Sequence, residues 1–293
     1  MKPARPPSST ALRPALAAGL YLVATPIGNA RDITLRALDI LAIADVIAAE
    51  DTRTARKLLE IHGVALGERP LIAYHDHSGE AGRAGIVKLI GAGKSVAYVS
   101  EAGTPLVSDP GYALARDVAA AGGHVTAAPG ASAVLTALSL AGLPSDRFLF
   151  AGFAPSTRAA RLTWLEELVG TPATLVIYES PRRVEALLTD LVQTAGGDRQ
   201  AAIARELTKK FEEVRRGTLS ALLAALDGQT LKGEVVVLVD RGHTEVAEDT
   251  MEAALRRALE TMSLKDAAAT VAEAYGLKRR KVYQAALEME KDG

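Results

Sequence analysis

The sequence predicts an α/β fold in two units with a small helical extension at the C-terminal end. Three observations carry this reading. Short apolar runs alternate with helix-patterned stretches from residue 20 to about 142, and again from 147 to about 241. Such alternation favours strands joined by crossover helices, and hence a parallel sheet. Three runs in the first unit end in turns rich in glycine and proline, each followed by a helical pattern: T-P-I-G-N at 25–29, S-E-A-G-T-P-L-V-S-D-P-G at 100–111 and P-G-A-S-A at 129–133. After Gly242 only helical patterns remain.

The first unit, 20–143, is expected to place strands at 21–25, 46–50, 71–74, 95–99 and 125–128, with helices at 34–43, 52–61 and 79–90. L-P-S-D at 143–146 reads as a linker, with Gly142 ending the helix before it. In the second unit, 147–241, strands are expected at 148–151, 174–178, 201–205, 213–217 and 235–239, and helices at 158–169, 183–194 and 219–226. No long crossover separates 201–205 from 213–217, which predicts a hairpin and a mixed sheet. The extension, 249–291, carries helix patterns at 251–262, 265–275 and 278–290, and Gly276 divides the last two like a helix-turn-helix. A bundle packed on the main body is the plainer alternative. Residues 1–19 read as a disordered basic tail: Lys2, Arg5 and Arg13 are interrupted by Pro3, Pro6, Pro7 and Pro14, without the apolar stretch of a signal peptide.

Composition bounds the function. A chain of 293 residues, 48% hydrophobic and 24% charged, fits a soluble protein of two domains. A formal net charge of −1 excludes a broadly basic coat for nucleic acid but leaves room for a local basic face. There is no cysteine, hence no disulfide, no thiolate metal site and no cysteine nucleophile. No apolar run approaches the roughly 20 residues of a membrane span. A cytoplasmic location, without membrane or metal, is the expectation.

In a parallel sheet, turns of this kind gather at the carboxyl ends of the strands, where ligands bind. Glycine and proline fix the turn and let backbone groups come close to a ligand. None of the three is a phosphate loop, since G-x-x-x-x-G-K-[ST] and G-x-G-x-x-G are both absent. They also lack lysine, so they suit a ligand held by backbone and shape rather than a triphosphate. Read singly, each is equally an ordinary turn between strand and helix.

Read with their flanks, these segments resemble the tetrapyrrole methylase superfamily: Y-L-V-A-T-P-I-G-N-A-R-D-I-T-L-R-A-L (21–38), A-A-E-D-T-R-T-A-R-K-L-L (48–59), the 101–111 loop and P-G-A-S-A-V-L-T-A-L-S-L-A-G-L-P (129–144). F-A-G-F-A-P (150–155), I-Y-E-S-P-R-R (177–183), R-E-L-T-K-K-F-E-E (205–213) and K-G-E-V-V-V-L-V (232–239) continue the match. Within the superfamily they are similar to the ribosomal RNA small subunit methyltransferases. The resemblance implies two α/β domains of the tetrapyrrole methylase type with a cofactor cleft between them. It also implies S-adenosyl-L-methionine as donor, the ribose 2′-oxygen of a cytidine in the decoding region of 16S rRNA as acceptor, free or within the small ribosomal subunit, and a homodimer. Two positions depart from the family pattern: Glu101 stands where aspartate is usual, and Ser78 follows His75-Asp76-His77 where asparagine is usual.

By the same resemblance Pro26, Glu101, Ala102, Gly103, Thr104, Pro105, Ser132, Ala133, Tyr178, Leu207 and Gly233 bind the cofactor. Backbone amides of the helix opened by Gly130 would suit its carboxylate. Methyl transfer to a hydroxyl needs alignment and a proton acceptor. Glu50, Asp51, Glu101, Asp109, Glu179 and Glu206 all lie at expected strand ends or beside turns. Asp51 and Asp109 read first as helix caps. Glu101 is the preferred cleft carboxylate, with Glu179 the second catalytic candidate, and the sequence does not choose the base among them. His75 and His77 invite a metal, but no third ligand stands at a recognisable spacing. Ser132 is no nucleophile elbow, because Val134 replaces the closing glycine. Arg53, Lys209, Lys278, Arg279, Arg280 and Lys281 are candidates for RNA phosphates, since they flank matched motifs or the helix-turn-helix. A same-fold methyltransferase acting on a tetrapyrrole or a protein side chain, and a non-catalytic ribosome-assembly factor, are the alternatives.

Overall fold

The computed structural model describes residues 15–75, 78–226, 231–242 and 248–292. The first five strands are β1 (Gly19–Val23), β2 (Val46–Ala49), β3 (Leu71–Ala73), β4 (Ser95–Val99) and β5 (Val125–Ala128). They form a wholly parallel sheet in the order β3-β2-β4-β1-β5. The helices between them are α1 (Leu35–Ile43), α2 (Thr52–Ile61), α3 (Gly79–Gly91) and α4 (Tyr112–Ala120). Alternation along each strand fills two cores. Tyr21, Val23, Ile47 and Val99 meet Ile40, Leu41 and Leu59 from α1 and α2. Leu20, Val46, Val96 and Tyr98 meet Ile86, Ile90, Leu114 and Val118 from α3 and α4. Both faces of this sheet are therefore covered, as a parallel sheet requires.

The second sheet consists of β6 (Phe148–Phe153), β7 (Thr174–Glu179), β8 (Gln200–Arg205), β9 (Glu213–Thr218) and β10 (Val235–Val239), in the order β6-β7-β10-β8-β9. The expected hairpin is β8–β9, antiparallel from Gln200↔Thr218 to Arg205↔Glu213. The sheet is mixed, with β6 parallel to β7 and β10 antiparallel to both its neighbours. One face carries α6 (Arg158–Leu168), α7 (Val184–Ala195) and α8 (Leu219–Leu226), which bury Leu165, Leu187, Leu191 and Leu222 against Leu175, Ile177 and Val237. The other face is covered by α5 (Ala133–Ala141), which follows β5 of the first sheet yet packs Val134, Ala137, Leu138 and Ala141 on Val176, Ala202, Ala204 and Leu238. This helix, apolar nearly all round, ties the two sheets into one body.

The last helices, α9 (Glu248–Leu259), α10 (Leu264–Ala274) and α11 (Arg279–Asp292), share a core of their own around Leu255, Ala267, Ala268, Val282 and Ala286. Ser263 caps α10 by accepting the Asp266 amide.

Three local expectations change. The helix after the third turn begins at Ala133 with Ser132 at its cap position, not at Gly130, which stays outside the helix against Ala24. Asp109 does not cap α4, whose cap position is Gly111 at φ 123°. Of the tail drawn as 1–19, residues 1–14 lie outside the described residues, while Leu16 packs on the core and Gly19 opens β1.

Candidate active site

The order β4-β1-β5 sets three neighbouring strands side by side, so their carboxyl-terminal turns meet. They are bonded to one another. The amides and carbonyls of Thr25 and Gly103 exchange two hydrogen bonds, of 2.8 and 3.1 Å. The Thr104 hydroxyl donates to the Ala131 carbonyl at 2.9 Å. From the neighbouring β2 end, the Glu50 carboxylate accepts the Glu101 amide at 3.0 Å. The Gly103 amide is thus engaged within the protein, while its carbonyl accepts one bond there and keeps a second lone pair. Its φ of 83°, and Ile27 Cγ2 only 3.3 Å from where a Cβ would stand, make glycine the residue that fits.

These turns face the second sheet across a cleft of about 720 Å³, in the usual range for a small-molecule site. Pro26, Glu101, Ala102, Gly103, Thr104, Ser132 and Ala133 line one wall. Tyr178, Glu179, Lys209 and Gly233 come from β7, the 206–209 loop and the approach to β10. Seven candidates lie elsewhere. Pro105 is buried beneath its turn. The Leu207 side chain sits in the core under α5, because the apolar face of that helix needs a partner there. Arg53 lies outside the cleft with a side chain 90% exposed, gripping Asp51 at 2.8 Å, while its neighbour Thr54 does line the cleft. Asp51 caps α2 and is pulled down to about 2 by that arginine. Lys278, Arg279, Arg280 and Lys281 are exposed where α11 begins, far along the chain from the cleft motifs.

The charged groups in the cleft are mostly committed. Glu179 is buried, with Oε1 accepting the Ser180 amide at 2.7 Å and Oε2 3.0 Å from the Arg183 guanidinium. Lys209 binds Glu206 at 2.9 Å and Glu234 at 3.1 Å. Burial by itself would lower the Lys209 ammonium, but the two carboxylates outweigh it and raise it above the ordinary lysine value. The Lys209 bond in turn holds Glu206 below the usual carboxylate range. Burial, with Asp109 nearby, pushes the Tyr178 phenol up to about 12, although it accepts the Val134 amide at the start of α5. It therefore stays protonated at neutral pH. Glu101 and Asp109 add two more carboxylates to the lining, Glu101 with its side chain exposed.

Backbone strain gathers at the same place. Among the described residues, the non-glycines with positive φ are Leu106, Ser108, Glu206 and Thr208. They sit in the two loops that bracket the cleft, where strain is characteristic of binding sites. Ile27, Gly28, Val107, Phe153, Pro181 and Glu234 also line the cleft and were not singled out in the sequence. Gly28 and Phe153 lie inside the matched segments T-P-I-G-N and F-A-G-F-A-P, the one signal that pointed at them. His77 lies outside the described residues, and among those described no group of three His, Asp or Glu is placed to hold a metal. No described helix is long and apolar enough to cross a membrane.

The family described as Tetrapyrrole (Corrin/Porphyrin) Methylases matches residues 19–223, and the one described as RsmI C-terminal HTH domain matches residues 245–290. A relative from Mesorhizobium japonicum, named Ribosomal RNA small subunit methyltransferase I, is 49% identical over 293 residues, covering 98% of this chain and 95% of its own. A relative of the same name from Pseudomonas aeruginosa is 41% identical over 277 residues, covering 92% and 97%. Among solved structures, uroporphyrin-III C-methyltransferase from Thermus thermophilus, complexed with S-adenosyl homocysteine, superposes with a TM-score of 0.52 at 19% identity, covering 77% of this chain and 97% of that one. That likeness speaks for the fold. With two α/β sheets, a cleft walled by strand-end turns and a helical extension, matched along nearly its whole length by these relatives, the chain belongs to the tetrapyrrole methylases, in the ribosomal RNA small subunit methyltransferase I family.

Proposed function

We propose that this protein methylates 16S rRNA of the small ribosomal subunit, taking the methyl group from S-adenosylmethionine and placing it on the ribose 2′-oxygen of a cytidine in the decoding region. The observation that carries the reading is the cleft of about 720 Å³ between three bonded strand-end turns and the second sheet, in a chain of this family.

The residues present fit such a donor. Ile27, Val107, Ala133, Val235 and Val236 offer apolar surface for a flat heterocycle. Ser132 and Ala133, at the start of α5, line the cleft, and the Ser132 side chain makes no capping bond, which suits a carboxylate at this helix start. Asp109 and Glu234 suit an ammonium. Bound there, S-adenosylmethionine supplies an electrophilic methyl carbon for in-line displacement. The protein then has to align the acceptor oxygen and take its proton. Glu179 is engaged by Arg183 and Ser180, and the Tyr178 phenol does not ionise near neutrality, so we assign the proton to Glu101. Lys209, held between Glu206 and Glu234, positions the loop that closes the cleft. Phosphates of the RNA are assigned to the exposed run 278–281, where four cations add to the positive end of the α11 dipole and an anion relieves them. The reading includes a cytoplasmic homodimer, which sedimentation velocity addresses.

The test is ribose-methylation mapping of small-subunit RNA from a deletion strain, beside calorimetric titration of the protein with S-adenosylmethionine. Loss of one ribose methyl group and saturable donor binding are expected. An unchanged methylation map, or a protein that binds no donor, would sink the proposal.

A further inference from the structure

We propose that Phe153 is a stacking platform for an unstacked nucleobase of the RNA substrate, an inference that rests on the RNA-methyltransferase reading above. The first observation is a bulge. Strand β6 pairs with β7 as Phe150↔Val176, then Gly152↔Ile177 and Phe153↔Tyr178, so Ala151 is an extra residue on one side of the ladder. In a regular strand, residues three apart point to opposite faces. The extra residue cancels that alternation and brings Phe150 and Phe153 to the same face, a common use of bulges beside active sites. Gly152, at φ 71°, gives the backbone the left-handed turn that the bulge needs.

The result is an aromatic row with Tyr178 in the middle. Its ring centroid lies 4.7 Å from Phe150 and 5.4 Å from Phe153, both edge-on at 64° and 67°. Phe150 packs into the core under α5, whereas Phe153 is 59% exposed while lining the cleft. Among the described residues it is the one exposed aromatic side chain in the cleft wall. The bulge therefore directs a ring that rests edge-on against Tyr178 into the cleft wall, where it leaves apolar surface in water until something covers it.

The chemistry of the reaction says what that is. The small residues Gly103, Ser132 and Ala133, which leave room for the donor, belong to the opposite, strand-end wall. A ribose hydroxyl reaches a concave cleft most readily when its nucleotide is unstacked, and an aromatic side chain is a common replacement for the lost stacking. With aromatic residues at 4% of the chain, Phe153 is placed to provide it.

Small subunits isolated from a strain lacking the enzyme, with labelled S-adenosylmethionine, test this on the full-length protein. Phe153→Ala should lower kcat/KM for the subunit about 5- to 150-fold, the range that corresponds to loss of one base–aromatic stack. Its calorimetric affinity for the donor should be unchanged. Phe153→Tyr and Phe153→Trp should restore most of the loss, whereas Phe153→Leu, which keeps the apolar bulk, should not. Parent-like kinetics for Phe153→Ala, a loss confined to donor affinity, or full rescue by leucine would each overturn the assignment while leaving the methyltransferase reading intact. Failure of the unaltered protein to methylate subunits, though it binds donor, would overturn that reading and the stacking role with it.

Discussion

Replacing Gly28 by alanine probes how the two halves of the cleft are held together. A Cβ at this position would stand 2.5 Å from Lys209 Cγ, 2.7 Å from Thr208 Oγ1 and 3.0 Å from the Leu207 carbonyl oxygen. None of the three yields easily. The Lys209 ammonium is anchored to Glu206 and Glu234, and the Thr208 hydroxyl accepts the Asn29 amide at 3.0 Å. The Leu207 oxygen belongs to a loop already bent through Glu206 at φ 50° and Thr208 at φ 62°. The whole loop must retreat from the first turn by several tenths of an ångström. Forcing one methyl into a filled contact costs about 1–3 kcal/mol. Were all of it expressed in closure over the donor, affinity would fall about 5- to 150-fold. Any part that opposes folding should lower the Tm by about 2–4 °C per kcal/mol in a chain of this size. Calorimetric titration with S-adenosylhomocysteine and thermal unfolding separate the two shares. Gly85→Ala, in α3 with nothing within 4 Å of the added carbon, is the control and should stabilise by about 0.5–1 kcal/mol. If Gly28→Ala binds ligand and melts like the parent protein, the contact between the first turn and the 206–209 loop is not as described.

Glu101→Gln should leave the fold intact and cut the single-turnover methylation rate about 100-fold or more, as expected for loss of a general base; a parent-like rate removes Glu101 from that role. Changing Lys278, Arg279, Arg280 and Lys281 together to glutamine should weaken subunit binding and flatten its salt dependence with donor binding unaltered, and an unchanged slope would leave the extension without an RNA-phosphate role. Arg183→Met strands the buried Glu179 carboxylate and should cost about 3–5 kcal/mol in urea unfolding; a loss below about 1 kcal/mol, the scale of an exposed pair, would mean that solvent reaches Glu179. Asp51, held down to about 2 by Arg53 against 3.8 when unfolded, contributes stability that is fully present above pH 3.8 and is lost as pH falls through the folded value. The Tm gap between the parent and Asp51→Asn should therefore be constant near neutrality and close between about pH 4 and pH 2, whereas a gap that persists at pH 2 would point to a cause other than the charge.

Much of the architecture was legible because it is local. The strands at 95–99, 125–128 and 235–239 and the helices at 52–61 and 219–226 fall where their periodicities predict them, since alternating or helical burial is written in neighbouring residues. The hairpin of β8 and β9 follows from the short connection, and the cap at Asp51 from one side chain beside one helix start. The three strand-end turns were recognisable as a group, and most of the residues they contribute line the cleft.

What depends on long-range pairing was not legible. Nothing local tells β10 to insert between β7 and β8, nor α5 to leave the sheet that precedes it and cover the next one. That placement takes Leu207 out of the cleft and into the core. The Thr25–Gly103 bridge engages backbone groups that looked available, and Glu234, distant in sequence, joins the nearby Glu206 in claiming Lys209. The bulge at Ala151 is a mismatch between two strands, so it exists only once they pair, and with it the outward turn of Phe153. The sequence by itself determined the elements, the strand-end turns and the family, because each is carried by residues close together in the chain. The tertiary structure decided which of those residues face the cleft and which of its charges are already paired, because both depend on partners that only the folded chain brings within a few ångströms.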